Sequence, residues 1–190
     1  MVDDDFTVVA VAIDENIAAV APLADEITYP VLVDTEHRLT ELYAISNVPT
    51  VVWIDEDDRI VRPNASEFGS DMFTEFTGIH CEDHMEQVRA WVRDGSVPDD
   101  AGYEVPDLDD GEVAARLHFR LATHARRAGM AEVAEQHFDQ AAALAPHDFT
   151  IVRAAMPLTG VDPFGPAFFE LYERFKAAGS PYHGIPRSAS

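Results

Sequence analysis

The sequence predicts an α/β part followed by an all-α part. Three observations carry this. Short β-branched runs alternate with helical stretches over residues 1–95. A proline-containing acidic stretch, 96–111, follows as a linker. From 112 to 180 the apolar spacing is helical almost throughout, and 181–190 is expected to be a flexible tail. Strands that alternate with helices and end in a hairpin imply a sheet with both parallel and antiparallel neighbours.

The elements follow in order. FTVVAVAI at 6–13 is a continuous β-branched run closed by Asp14, the pattern of a strand buried on both faces. Residues 15–27 are Ala-rich and helical, with Pro22 interrupting or starting the helix. PVLV at 30–33 is a second strand. Residues 35–44 form a helix with Leu39, Leu42 and Tyr43 on one face. TVVWID at 50–55 is a third strand, Asp57-Asp58 a turn, and 59–61 the start of a fourth strand in a hairpin. Met85, Val88 and Val92 recur at helical spacing over 81–94, with Trp91 beside them. Beyond the linker, two long helices flank Gly129, a short third covers FTIVRAAM, and a fourth carries Phe164, Phe168, Tyr172 and Phe175 as a core stripe.

Composition excludes several classes. The chain has 190 residues and 35 acids against 13 Lys+Arg, a net charge of −22. Nucleic acids and anionic membranes need clustered cations, so neither is an expected partner. No apolar run reaches the roughly 18 residues of a membrane span. One cysteine, Cys81, excludes an intrachain disulfide and any two-cysteine redox motif within this chain. Residues 1–112 hold 28 acids against five cations, and 113–190 hold seven against eight. Salt adaptation alone would spread the charge over both parts.

Three stretches together resemble the thioredoxin-like redoxin superfamily, closest to the thiol–disulfide oxidoreductases of cytochrome biogenesis and their peroxiredoxin relatives. They are VVAVAID at 8–14, YPVLVDTEHRLTELYAI at 29–45 and NVPTVVWIDEDDRIV at 47–61. The resemblance covers about 1–95 and implies a thioredoxin-like mixed sheet. It also implies that Pro49 is cis and that Val48, Pro49 and Thr50 contact an extended substrate through their backbone. The chain departs from the pattern where the chemistry would sit. Family members begin with a strand and a helix whose N-terminus carries the cysteine motif, and this chain begins after them. The thioredoxin-like part is therefore expected to be incomplete. Its absent strand would lie between 6–13 and 50–55, leaving two apolar edges. A start upstream of Met1, direct pairing of the remaining strands, or a strand donated by a partner would each resolve this, the first being favoured.

Residues 115–148 resemble one 34-residue tetratricopeptide repeat. Ala134 to Phe138 is the A-x3-F step, Ala141 and Pro146 follow at the expected spacing, and Gly129 takes the turn. His118, Ala122 and Ala125 stand where the family has Trp, Gly and Tyr. The resemblance places Arg116, Phe119, Thr123, Arg126 and Arg127 at positions that line the groove of such repeats. Residues 113–131 hold four Arg and no acid, which suits either an acidic partner or docking on the acidic first part.

Other constellations carry less. Cys81 and His84, with His80, offer a Cys-x2-His pair without a remote second pair, so no metal is expected. Asp55, Asp57 and Asp58 lack the glycine and terminal Glu of a calcium loop. No phosphate loop, dinucleotide fingerprint or Ser/His/Asp signature is present, and no cofactor or catalytic residue is expected in this chain. The expected function is that of a redoxin-related protein without catalytic cysteines that binds a protein or peptide partner. The alternative is a truncated thiol–disulfide oxidoreductase or peroxide-reducing redoxin, active in cell redox homeostasis, with its cysteines upstream of Met1. The absence of a signal pattern implies the cytoplasm, or an extracytoplasmic site if a start upstream carries a signal.

Overall fold

The computed structural model describes residues 6–74, 78 and 80–186. Among them the chain forms β1 (Ala10–Ala12), α1 (Ile17–Ala24), β2 (Val31–Val33), α2 (Arg38–Leu42), β3 (Val51–Ile54) and β4 (Ile60–Ala65). There follow α3 (Cys81–Asp94), α4 (Asp110–Arg127), α5 (Ala131–Leu144), α6 (Val152–Leu158) and α7 (Pro166–Ala177). Short 3-10 turns cover Asp71–Phe73 and Asp99–Gly102. The fold is mixed α and β. No helix among the described residues is long and apolar enough to cross a membrane.

Among the described residues, the one mixed sheet expected from the sequence is not formed. β1 pairs with β2 in parallel, and β3 pairs with β4 antiparallel, giving two sheets of two strands. The expected strand at 6–13 contracts to three half-buried residues, and Val8 and Val9 before it are exposed. An apolar run shows that a strand is favoured; it does not supply the neighbours that would cover both faces.

The chain divides into two compact units. One joins Val48–Val105 to segments from both chain ends; the other joins Val9–Asn47 to Pro106–Tyr182. This partition runs differently from the division at 95 and 112, because residues 9–47 cluster with the helices.

In the first unit, the β3–β4 hairpin turns at Asp55–Arg59. Asp55 Oδ1 accepts from the N–H groups of Asp57 and Arg59, and Asp58 takes φ +60°. Trp53 points inward and stacks on Trp91 of α3 at 5.0 Å between ring centroids, with Phe6 edge-on to Trp91. The helix ends at Gly95, whose φ of +74° favours a residue without Cβ. The segment expected as a plain linker is used structurally. Asp100 pairs with Arg62, and Asp109, already within the second unit, caps α4 in a reciprocal capping box with Glu112. The expected flexible tail also needs correction over its described part. The N–H of Ile185 donates to Asn64 O at 2.7 Å, Asn64 Nδ2 donates to His183 O at 3.1 Å, and Ile185 is buried. Residues 187–190 of that tail lie outside the described residues.

In the second unit, α4 and α5 form an antiparallel hairpin about Gly129. Ala115, Ala122 and Ala125 on α4 face Ala134 and Ala141 on α5, and all five are buried. The small side chains let the helix axes approach, and Phe119 meets Phe138 edge-on at 5.7 Å. Such a pair contributes about 0.5–1.5 kcal/mol beyond the area it buries. A second cluster gathers Phe149, Met156 and Leu171 with Phe168, Tyr172 and Phe175. Of the predicted aromatic stripe, Phe164 stays outside this core and is exposed. Leu42, expected on the inner face of α2, is also exposed; Thr40 is the buried residue of that helix.

Candidate functional site

The Val48–Pro49 peptide bond is cis. Pro49 is exposed, and Val48 and Thr50 are half-buried. The loop leads directly into β3, and Ser66 Oγ at the end of β4 donates to Pro49 O at 3.3 Å. Val51 sits opposite Ala65. The loop is thus held from the neighbouring strand while its proline faces outward.

The two outer edges of this hairpin differ. On β4, Asn64 is engaged by His183 and Ile185 from the chain's own C-terminal segment. β3 has β4 as its one ladder neighbour among the described residues. The N–H of Asp55 bonds to Arg59 O, and the register against β4 shifts between Val51 and Trp53 and again between Trp53 and Ile54. Beneath the hairpin lies a buried charged group. Arg62 reaches Asp100 at 3.0 Å and Glu67 at 3.0 Å, with its guanidinium 5.3 Å from the Trp53 ring centre. Burial opposes its charge, but the hydrogen bonds and charges of Asp100 and Glu67 prevail and raise its pKa. His84 Nδ1 stands 3.7 Å from Glu67 Oε1, beyond hydrogen-bond distance. Burial holds the His84 pKa below its ordinary value, with Glu67 raising it and Arg62 lowering it.

Cys81 opens α3 as a free, half-buried thiol whose N–H donates to Asp71 Oδ1 at 2.8 Å. His84 of the Cys-x2-His pair turns instead to Trp53 and Glu67. Among the described residues, no three His, Cys, Asp or Glu side chains are grouped to hold a metal ion.

The five groove positions on α4 lie in the second unit and serve its own packing. Arg116, Phe119 and Thr123 are buried. Arg116 Nη2 pairs with Asp148 Oδ2 at 2.8 Å and donates to Ile45 O. Arg126 pairs with Glu15 at 2.8 Å, Arg127 with Glu36 at 2.8 Å, and Arg120 with Glu41. The basic face of α4 is therefore met by acids of 9–47, the docking alternative, and Arg126 and Arg127 alone remain partly exposed.

Sequence reasoning missed Asn64 and Ser66, which fix the loop and the C-terminal segment. No local pattern marks them, because their partners lie 17 and 119 residues away. Comparison with protein-family models, with curated proteins and with solved structures finds no match to this chain.

Proposed function

We propose that the chain is a binding module that takes an extended protein segment along the edge of β3 away from β4, beside Val48, Pro49 and Thr50. The observation that carries this is the asymmetry of the hairpin. The chain's own C-terminal segment engages Asn64 on β4, while β3 has β4 as its one ladder neighbour among the described residues and begins next to an exposed Pro49. An edge strand with an outward row of donors and acceptors is a template for strand addition, in which main-chain bonds supply affinity. The resemblance to redoxins agrees with this role, and the cis bond at Pro49 is the geometry that the resemblance implies.

The test removes one edge donor. Val52→Pro deletes the Val52 N–H, a change an edge strand tolerates where that nitrogen faces outward. Fluorescence anisotropy with labelled short peptides tiled from reduced, carboxymethylated lactalbumin reads the binding. Val52→Pro is expected to weaken every peptide that binds by about tenfold, and Val52→Thr to leave binding unchanged. Absence of binding by any peptide, or equal binding by a folded Val52→Pro protein, rejects the proposal.

A further inference from the structure

The seam of the α4–α5 hairpin brings two imidazoles together. His118 follows Ala115 by three residues and precedes Ala122 by four; His137 stands in the same relation to Ala134 and Ala141. These alanines are the buried contacts between the helices, so each histidine rises beside the closest approach of the two backbones. The ring centroids are 5.0 Å apart, and Nδ1 of His118 lies 2.8 Å from Nδ1 of His137. Both rings are half-buried and reachable from solvent. Both ride on regular helices fixed by the capping box at Asp109 and by the Phe119–Phe138 contact.

The geometry points to a two-imidazole site for a divalent transition-metal ion, with Nδ1 of His118 and Nδ1 of His137 as adjacent ligands. The spacing selects the coordination. Two nitrogens at about 2.0 Å from an ion and at right angles lie about 2.8 Å apart, while tetrahedral ligands lie about 3.3 Å apart. The observed 2.8 Å therefore suits neighbouring positions of a tetragonal ion such as Cu2+ or Ni2+. Water completes the shell. In the metal-free pair one Nδ1 donates its proton to the other. Binding needs that ring in the Nε2–H tautomer, which exposes both Nδ1 lone pairs without a net loss of protons from neutral rings.

The test is titration of the intact chain with Cu2+ in a non-chelating buffer, read by calorimetry and electron paramagnetic resonance. The expected result is one tightest site whose spectrum shows two nitrogen ligands. His118→Gln and His137→Gln should each weaken that site by at least about tenfold, and to the same extent. One equivalent of Cu2+ should raise the thermal midpoint of the parent and of neither variant, since the ion links two helices in the folded state. An oxygen-only spectrum, or unchanged affinity in either variant, overturns the site and assigns the ion to surface carboxylates. The parent's spectrum decides this even if a variant folds poorly.

Discussion

Among the described residues each compact unit buries one arginine, and the two are neutralised in different ways. Arg62, 3% exposed, has two carboxylates and an indole face, and one of those carboxylates, Asp100, is 39% exposed. Arg116, 2% exposed, has one carboxylate, Asp148, and donates as well to the carbonyls of Ile45 and Glu112. Asp148 is itself enclosed: Thr150 donates to it from both its hydroxyl, at 2.6 Å, and its N–H, at 2.8 Å. The first arrangement carries a spare acid with access to solvent. The second is closed, so loss of either charge leaves the other buried without an opposite. A buried cation held by a single acid is the more fragile construction, however well it is hydrogen-bonded.

Asp148→Ala should therefore have the largest effect, a loss of about 3–5 kcal/mol, because Arg116 keeps its charge and cannot reach water. Asp148→Asn should lose less, since its amide oxygen still accepts from Thr150. Asp100→Ala should cost about 1.5–3 kcal/mol, the value of a charge-assisted hydrogen bond, because Glu67 remains at Arg62. Urea denaturation of the three variants makes the comparison. Equal losses for Asp100→Ala and Asp148→Ala would remove the distinction between the two arginines.

The same contrast explains what the sequence revealed. Helix α3 is found at 81–94 as its apolar spacing predicts, and α4 and α5 flank Gly129 as expected. Their signals are local: periodicity, a capping box, a glycine turn. Arg116 was legible as a cation on the helix but not as a buried one, because burial depends on Ile45 and Asp148, 71 and 32 positions away. The run at 6–13 overstates its strand for a related reason, since apolar residues declare a preference for burial without naming what covers them. Of the candidate site, the resemblance marked Val48, Pro49 and Thr50. Asn64 and Ser66, with partners far along the chain, left no trace.

Two buried histidines sharpen the comparison through pH. His37, in the second unit, donates from Nε2 to Ile13 O at 2.9 Å and packs on Phe119 at 4.5 Å. Its pKa, like that of His84, is lowered chiefly by burial; the Ile13 bond and the Asp34 charge raise it, and Arg116 lowers it. A lowered pKa means that the folded chain prefers the neutral ring. The stabilisation is whole above the unfolded value of about 6.5 and is lost as pH falls below it. His37→Gln and His84→Gln should each flatten the fall of stability between neutral and mildly acidic pH. Glu67 faces His84 directly, so the flattening should be smaller for His84→Gln. The reverse order would show that Arg62, and not Glu67, dominates the field at His84.

The smallest effect belongs to the ion pairs at the rim of α4. Arg126 and Arg127 are 44% and 40% exposed in their side chains and pair with Glu15 and Glu36. Exposed pairs of this kind contribute about 0.2–1 kcal/mol each. They nonetheless give the charge asymmetry of the sequence a structural meaning, since acids of 9–47 meet three of the four arginines of 113–131 inside one unit. Salt acts on them in two directions. It screens the pairs, and it also relieves the self-repulsion of a chain with net charge −22. Stability of the parent against salt therefore mixes both. The informative quantity is the difference between the parent and Arg127→Ala, in which the general relief nearly cancels. That difference should shrink toward zero as sodium chloride rises to about 1 M, where screening acts over about 3 Å. A difference unchanged by salt would mean that Arg127 contributes through the packing of its aliphatic stem, and its pairing with Glu36 would carry no stability.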